Sequence, residues 1–166
     1  MPEAQILVAR EEAIVQVRVV GRATFKISED LRDFGIKVLK EGVKGIIVDL
    51  SECLGMDSTF IGVLAMIGLS ARGNAEVVIV NASDGLKKLL DGIGVSRVLT
   101  YAREPVKEVG WQSLCEAAAG AVDMQSVAPT VLAAHETLME IDPENVPKFK
   151  DVVDLLKAEM ESDKDD

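Results

Sequence analysis

The sequence predicts an α/β fold, in which a mixed, mostly parallel sheet with helices is followed by a C-terminal helical extension. Over residues 1–103, strand and helix patterns alternate in the order β-β-α-β-α-β-α-β, which implies parallel strands joined by right-handed crossovers. Residues 45–50 and 76–81 are short apolar runs, typical of strands buried on both faces. Hydrophobic residues make up 48% of the chain, enough for a core without disulfides.

The domain boundaries are predicted from where this alternation ends. Residues 1–103 form the α/β domain, residues 104–128 a linker with a short helix, and residues 129–166 the helical extension. The linker mixes glycine, alanine and polar residues and contains the single tryptophan, Trp111. We therefore expect one domain with an appendage.

A hairpin and a helix are the first predicted elements. Residues 6–8 and 14–20 are rich in β-branched residues, so residues 10–13 between them are expected to form a hairpin turn. Ser28 is predicted to cap a helix that ends near Lys40, because apolar residues recur in this segment at helical spacing.

The remaining elements of the domain follow the same logic. A loop at residues 51–56 leads to a helix that begins at residues 57–59 and ends near Gly73. This helix is apolar nearly all round, so we expect it to be buried on more than one side. Ser83 is predicted to cap a short amphipathic helix, and residues 98–101 to form the last strand.

The extension is predicted to contain two helices. Pro129 suits a helix start, and residues 142–145 should break that helix. The last helix has one apolar stripe, formed by Val146, Phe149, Val153, Leu156 and Met160. Such a stripe usually packs on its own chain, which is the arrangement we expect; the alternative is a partner-docking helix or a homodimer through the C-terminal helices.

Charge and hydropathy exclude several classes of partner. The net charge is −10 and the estimated pI is 4.6, which argues against binding to nucleic acid or anionic lipid, since both need clustered Lys and Arg. The first residues lack the features of a secretion signal, and no apolar run reaches the ~20 residues that span a bilayer. The chain is therefore expected to be cytoplasmic.

Catalytic and metal-binding patterns are missing from the sequence. The two cysteines, Cys53 and Cys115, are isolated and have no zinc-ligand spacing. The single histidine, His135, falls in the extension and is expected to be packed or solvated, because a catalytic histidine needs a nucleophile and an orienting group. We expect no enzyme activity, no metal and no cofactor.

One segment combines a buried strand, a short loop and a polar helix start. The strand ends in Asp49-Leu50-Ser51, and the helix begins with Met56-Asp57-Ser58-Thr59-Phe60-Ile61-Gly62-Val63-Leu64. Asp and Ser are both preferred N-caps, worth about 1 kcal/mol each. Capping alone is thus a sufficient explanation for these residue types.

This segment resembles the signature of the STAS domain, the family named for sulfate transporters and anti-sigma-factor antagonists. The family pattern is a hydrophobic strand with Asp-Leu-Ser, a loop, and then Met or Ile-Asp-Ser-Ser-Gly-Leu-Gly-Val-Leu. The order of elements over residues 4–103 is also similar to that of the family. Thr59 stands where the family has a second Ser and keeps a hydroxyl group, whereas Phe60 replaces a Gly and is expected to place a bulky ring beside the switch.

The resemblance implies a bacterial phosphoprotein that regulates transcription by partner switching. In the family, a serine kinase that doubles as an anti-sigma factor phosphorylates the Ser after the Asp, which is Ser58 here, and a serine phosphatase resets it. Asp57 then supports the phosphorylation site. Thr59, Phe60 and Asp49 are the further residues expected to support the site or bind the partner.

Three functional hypotheses remain. The favoured one is a phosphoswitch that binds the kinase when Ser58 is unphosphorylated and releases it when phosphorylated. A helix N-terminus tolerates the added charge, so phosphorylation should leave the fold intact. The alternatives are a structural or scaffolding STAS module in which Ser58 is only a helix cap, and a small α/β enzyme.

Overall fold

A computed structural model of the protein describes residues 4–103, 109–116 and 123–164. In these ranges the strands are β1 (Gln5–Glu11), β2 (Ile14–Ala23), β3 (Gly45–Asp49), β4 (Cys53–Met56), β5 (Glu76–Val80), β6 (Thr100–Ala102) and β7 (Gln112–Glu116). The helices are α1 (Phe25–Lys40), α2 (Ser58–Ala71), α3 (Asp84–Gly92), α4 (Met124–Ile141) and α5 (Val146–Lys164).

The strands form one mixed sheet in the order β6-β5-β3-β2-β1-β7, with β4 pairing beside the end of β2. Neighbouring strands from β2 to β6 run parallel, whereas β1 is antiparallel to both β2 and β7. Parallel pairing follows from the helical crossovers between these strands. The predicted α/β fold with a mostly parallel sheet and a C-terminal helical extension is confirmed.

Helices α1 and α2 pack against each other, and α4 lies against both of them. Helix α2 is buried on most sides, as its composition predicts: Phe60, Val63 and Ala65 have no exposed surface. This packing fixes the N-terminus of α2 between the sheet, α1 and the extension.

The start of α1 differs from the prediction. Thr24 is its N-cap, with extended backbone and a side chain that accepts a hydrogen bond from Lys26 N–H at 3.3 Å. Ser28 lies inside the helix, where it is buried and donates to the Thr24 carbonyl oxygen at 2.9 Å. The capping hydroxyl was therefore assigned one turn too late, whereas the Ser83 cap of α3 is confirmed.

Residues 104–128 also differ from the predicted linker with a short helix. The described part of this range contains β7 and the first residues of α4. Strand β7 has little periodicity of its own and forms because β1 offers it an unpaired edge. Helix α4 begins at Met124 behind an Asp123 cap, so Pro129 lies within the helix rather than at its start.

The extension packs on its own chain. A Cβ atom at Gly62 of α2 would lie 2.5 Å from the Ala134 carbonyl oxygen, so these two helices touch backbone to backbone. At one end of α4, Arg32 donates to Thr130 Oγ1 at 2.7 Å. At the other end, buried Asn145 donates to the Ile93 carbonyl oxygen at 2.8 Å. Helix α4 is thereby tied to α1 in its first half and, through the residues that follow it, to the end of α3.

Helix α5 packs on α4 through the predicted stripe. Val153 is 3% exposed, and the other four members of the stripe are partly buried. Val152 and Leu155 lie off the stripe and are 41% and 61% exposed. A homodimer through the C-terminal helices stays a prediction. None of the helices in the described ranges is long and apolar enough to cross a membrane.

Candidate functional site

Ser58 is the first residue of α2, and Asp57 is the N-cap of that helix. Asp57 has extended backbone, with φ −91° and ψ 171°, and its Oδ1 accepts a hydrogen bond from Phe60 N–H at 2.8 Å. The capping role that the sequence left open between Asp and Ser therefore belongs to Asp57. The hydroxyl of Ser58 is not used as a cap.

The same carboxylate also holds the start of α1. Asp57 Oδ2 accepts a hydrogen bond from Phe25 N–H at 2.7 Å, and Phe25 is the first residue of α1. One carboxylate thus satisfies an amide at the beginning of two helices, where amides lack partners within the helix. This arrangement fixes the backbone on the N-terminal side of Ser58.

The Ser58 hydroxyl is hydrogen-bonded to His135 of α4. Ser58 Oγ and His135 Nε2 are 2.8 Å apart, and His135 Nδ1 is 2.7 Å from the Val131 carbonyl oxygen. Because a carbonyl oxygen only accepts, Nδ1 carries the proton. In the neutral imidazole Nε2 then accepts the proton of Ser58.

His135 is held rigidly in this position. It is 3% exposed, and the Phe149 ring of α5 meets it edge to face with centroids 5.1 Å apart. Ser58 is only partly buried, so part of this residue is reachable from solvent. A buried imidazole is therefore hydrogen-bonded to a serine that is itself partly exposed.

Sequence reasoning missed the role of His135. It treated the residue as an isolated histidine, because Ser58 lies 77 positions earlier in the chain. One signal was present in the sequence. His135 occupies the same helical stripe as Val131 and Leu138, and a polar side chain in an apolar stripe of a packed helix needs a buried hydrogen-bond partner.

Asp49 forms a buried ion pair within the sheet. It is paired in register with Arg18 on β2, and its Oδ2 accepts from Arg18 Nη2 at 3.0 Å and from Nε at 3.1 Å. Both side chains are buried, with 5% and 6% exposure, and the Trp111 ring stacks 4.6 Å from the guanidinium carbon. Asp49 is thus a structural residue and offers little surface to a partner.

Thr59 and Phe60 are also interior residues. Thr59 is 5% exposed and Phe60 has no exposed surface. The prediction that Phe60 places a bulky ring beside the switch is therefore wrong, because this ring points into the core. Of the four predicted supporting residues, Asp57 alone is more than slightly exposed. Leu54, four positions before Ser58, is 69% exposed and was not singled out from the sequence.

The family profile described as "Mlab, STAS domain" matches residues 6–101. The chain belongs to the STAS domain family. Among curated proteins, none matches the chain significantly. The STAS match ends before β7, α4 and α5, so His135 is supplied by a part of the chain outside the match.

The chain is similar to several solved structures at low sequence identity. The anti-sigma factor antagonist SpoIIAA in its unphosphorylated form has 17% identity and a TM-score of 0.52, covering 61% of this chain and 89% of its own. The phosphorylated form of the Bacillus cell fate determinant SpoIIAA has 18% identity and a TM-score of 0.49, covering 60% and 90%. An uncharacterized DUF3478 protein from Shewanella loihica with a SpoIIAA-like fold has 14% identity and a TM-score of 0.45, covering 64% and 90%.

Proposed function

We propose that the chain is a non-enzymatic phosphoswitch of the anti-sigma-factor-antagonist kind. When Ser58 is unphosphorylated, the chain binds a serine kinase that doubles as an anti-sigma factor. Phosphorylation of Ser58 releases that partner, and a serine phosphatase restores the binding form. The proposal extends to this chain the role of SpoIIAA, which is an anti-sigma factor antagonist.

The observation that carries the proposal is that the Ser58 hydroxyl does not cap α2. Asp57 provides the cap of α2, so the serine is not needed for that purpose, and Ser58 remains partly exposed. This argues against a scaffolding module in which Ser58 is only a cap. A serine that is partly exposed and whose hydroxyl is held in place suits a group that is to be modified.

Charge explains how modification would release a partner. A phosphoserine carries nearly two negative charges at neutral pH, and the start of α2 can hold such an anion through its amides and dipole. The Asp57 carboxylate is adjacent, so the local surface becomes strongly anionic. A partner that docks on this surface in its unmodified state would be repelled without any unfolding.

Phosphopeptide mapping after incubation with ATP and a co-encoded serine kinase tests the proposal. We expect the phosphate on Ser58, with none on Ser51 or Ser83. The Ser58→Ala variant should bind the kinase but accept no phosphate. Modification at another residue, with Ser58 unmodified, would refute the assignment.

A phosphomimetic pair tests the release step. Ser58→Asp should abolish kinase binding in a pull-down or calorimetric assay while the melting temperature stays close to that of the wild type, since a carboxylate is accepted at a helix N-terminus. Ser51→Asp is the matched control, because it adds the same charge to an exposed position of the preceding loop. Equal binding by both variants would favour a scaffolding role.

A further inference from the structure

We propose that His135 is a general base that activates Ser58 as a nucleophile toward phosphoryl groups. The inference rests on the proposed function, because it supplies the proton acceptor for the phosphorylation of that serine. Its basis is the chain of hydrogen bonds from Ser58 Oγ to His135 Nε2 at 2.8 Å and from His135 Nδ1 to the Val131 carbonyl oxygen at 2.7 Å.

These contacts meet the geometric requirements for an activated serine. A nucleophile needs a base within hydrogen-bond distance, and the base needs a third group that fixes its tautomer. The Val131 carbonyl oxygen does so by holding the proton on Nδ1, which leaves Nε2 as the acceptor. Phe149 packs against the ring and limits its rotation. Burial alone would require a hydrogen-bond partner for this nitrogen; in the proposed reaction that partner is also the oxygen atom that reacts.

Phosphoryl transfer to Ser58 forms one O–P bond and breaks another. Ser58 Oγ attacks the γ-phosphorus of a nucleoside triphosphate held by the kinase, and the new O–P bond forms as the bond to the β-phosphate oxygen breaks. The nucleoside diphosphate leaves with that electron pair. The Ser58 proton moves to His135 Nε2, and the resulting imidazolium lies beside the new phosphate before it returns its proton to water.

The start of α2 suits the same step. Asp57 accepts from the Phe60 amide, whereas the amides of Ser58 and Thr59 head the helix, where a phosphate can be bound through N–H groups and the helix dipole. The Ser58 oxygen thus has a base at 2.8 Å and belongs to the first residue of a helix whose start favours an anion. The base comes from α4, outside the residues that match the STAS family.

Covalent labelling with diisopropyl fluorophosphate tests the inference without any partner protein. In this reaction Ser58 Oγ forms a bond to phosphorus, fluoride leaves, and the proton goes to His135. Labelled peptides identify the residue by mass spectrometry, and Ser58→Ala gives the background. In His135→Gln an oxygen can still accept from Ser58 but cannot take its proton, so we expect labelling about 100-fold slower or more.

A second variant covers the case in which His135→Gln fails to fold. Gly62→Ala places a methyl group 2.5 Å from the Ala134 carbonyl oxygen and must shift α4 while keeping the imidazole; its labelling should also fall. Gly85→Ala is the matched control, since its Cβ would meet only Ser83 Oγ at 4.0 Å. Absence of label on wild-type Ser58, or rates within a factor of about three across these variants, would overturn the inference.

A kinase assay separates this inference from the proposed function. If the kinase phosphorylates Ser58 equally fast in the wild type and in His135→Gln, the base assignment is wrong and the phosphoswitch stands. If the kinase leaves Ser58 unmodified while fluorophosphate labelling depends on His135, the phosphoswitch is wrong and the activated serine stands.

Discussion

Removal of the Asp57 carboxylate should destabilise the chain more than the loss of an ordinary helix cap. In Asp57→Ala, Phe60 N–H and Phe25 N–H both lose their acceptor. A lost N-cap costs about 1 kcal/mol, and an amide left without a partner at a part-buried site costs about 1–3 kcal/mol. We therefore expect the free energy of unfolding to fall by about 2–4 kcal/mol.

Urea denaturation followed by circular dichroism measures this change, with an unchanged slope as evidence that the folded state is intact. Asp57→Asn keeps one carbonyl oxygen and turns an amino group toward the other amide, so its free energy of unfolding should fall by about half as much. Ser83→Ala is the matched control, because Ser83 caps α3 through the single Leu86 N–H. If Asp57→Ala costs no more than Ser83→Ala, the carboxylate does not join α1 to α2.

Three other perturbations test the site and its surroundings. Asp49→Ala should lower the free energy of unfolding by about 1.5–3 kcal/mol, because buried Arg18 loses its two charge-assisted hydrogen bonds to Asp49 and keeps a longer contact to Glu52 at 3.8 Å, and the double variant with Arg18→Met should recover part of that loss in the same urea assay. Leu54→Asp should weaken kinase binding in calorimetry and leave the melting temperature unchanged, because this side chain is 69% exposed; unchanged affinity would place the partner elsewhere. Burial, together with a nearby carboxylate, raises the pKa of Cys115 from 9.0 to about 12, so iodoacetamide should modify this thiol at about pH 8 far more slowly in the folded chain than in urea. The thiol of Cys115 ionises at lower pH in the unfolded chain than in the folded chain. The free energy of unfolding should therefore fall as pH rises from 9.0 toward about 12. A Cys115→Ser variant should show a smaller fall over that range.

The parts of the fold with local signals could be predicted from the sequence. Strands β3 and β5 are continuous apolar runs, and α2 is apolar on every side, so their burial follows from composition alone. The position of Ser58 at the start of α2 followed from the motif. Strand β7 could not be predicted, because its pairing depends on the free edge of β1 more than 100 positions earlier, as in Gln5 with Glu116.

Contacts that depend on how helices pack could not be predicted from the sequence either. The contact of His135 with Ser58 exists because α4 meets α2 at Gly62; the apolar stripe around His135 indicates burial but does not indicate which helix α4 packs against. The second bond of Asp57, to Phe25 in α1, is of the same kind. Phe60 was misplaced for a related reason: a residue beside the switch in sequence points away from it on the helix.

The separation of Ser58 from His135 along the chain has a consequence for synthesis. His135 is the 77th residue that the ribosome adds after Ser58, which takes several seconds at about 5–20 residues per second. During that time the STAS domain can begin to fold with its serine unpaired. The Ser58–His135 hydrogen bond therefore marks a chain whose translation has passed α4, and a nascent or prematurely terminated product lacks it.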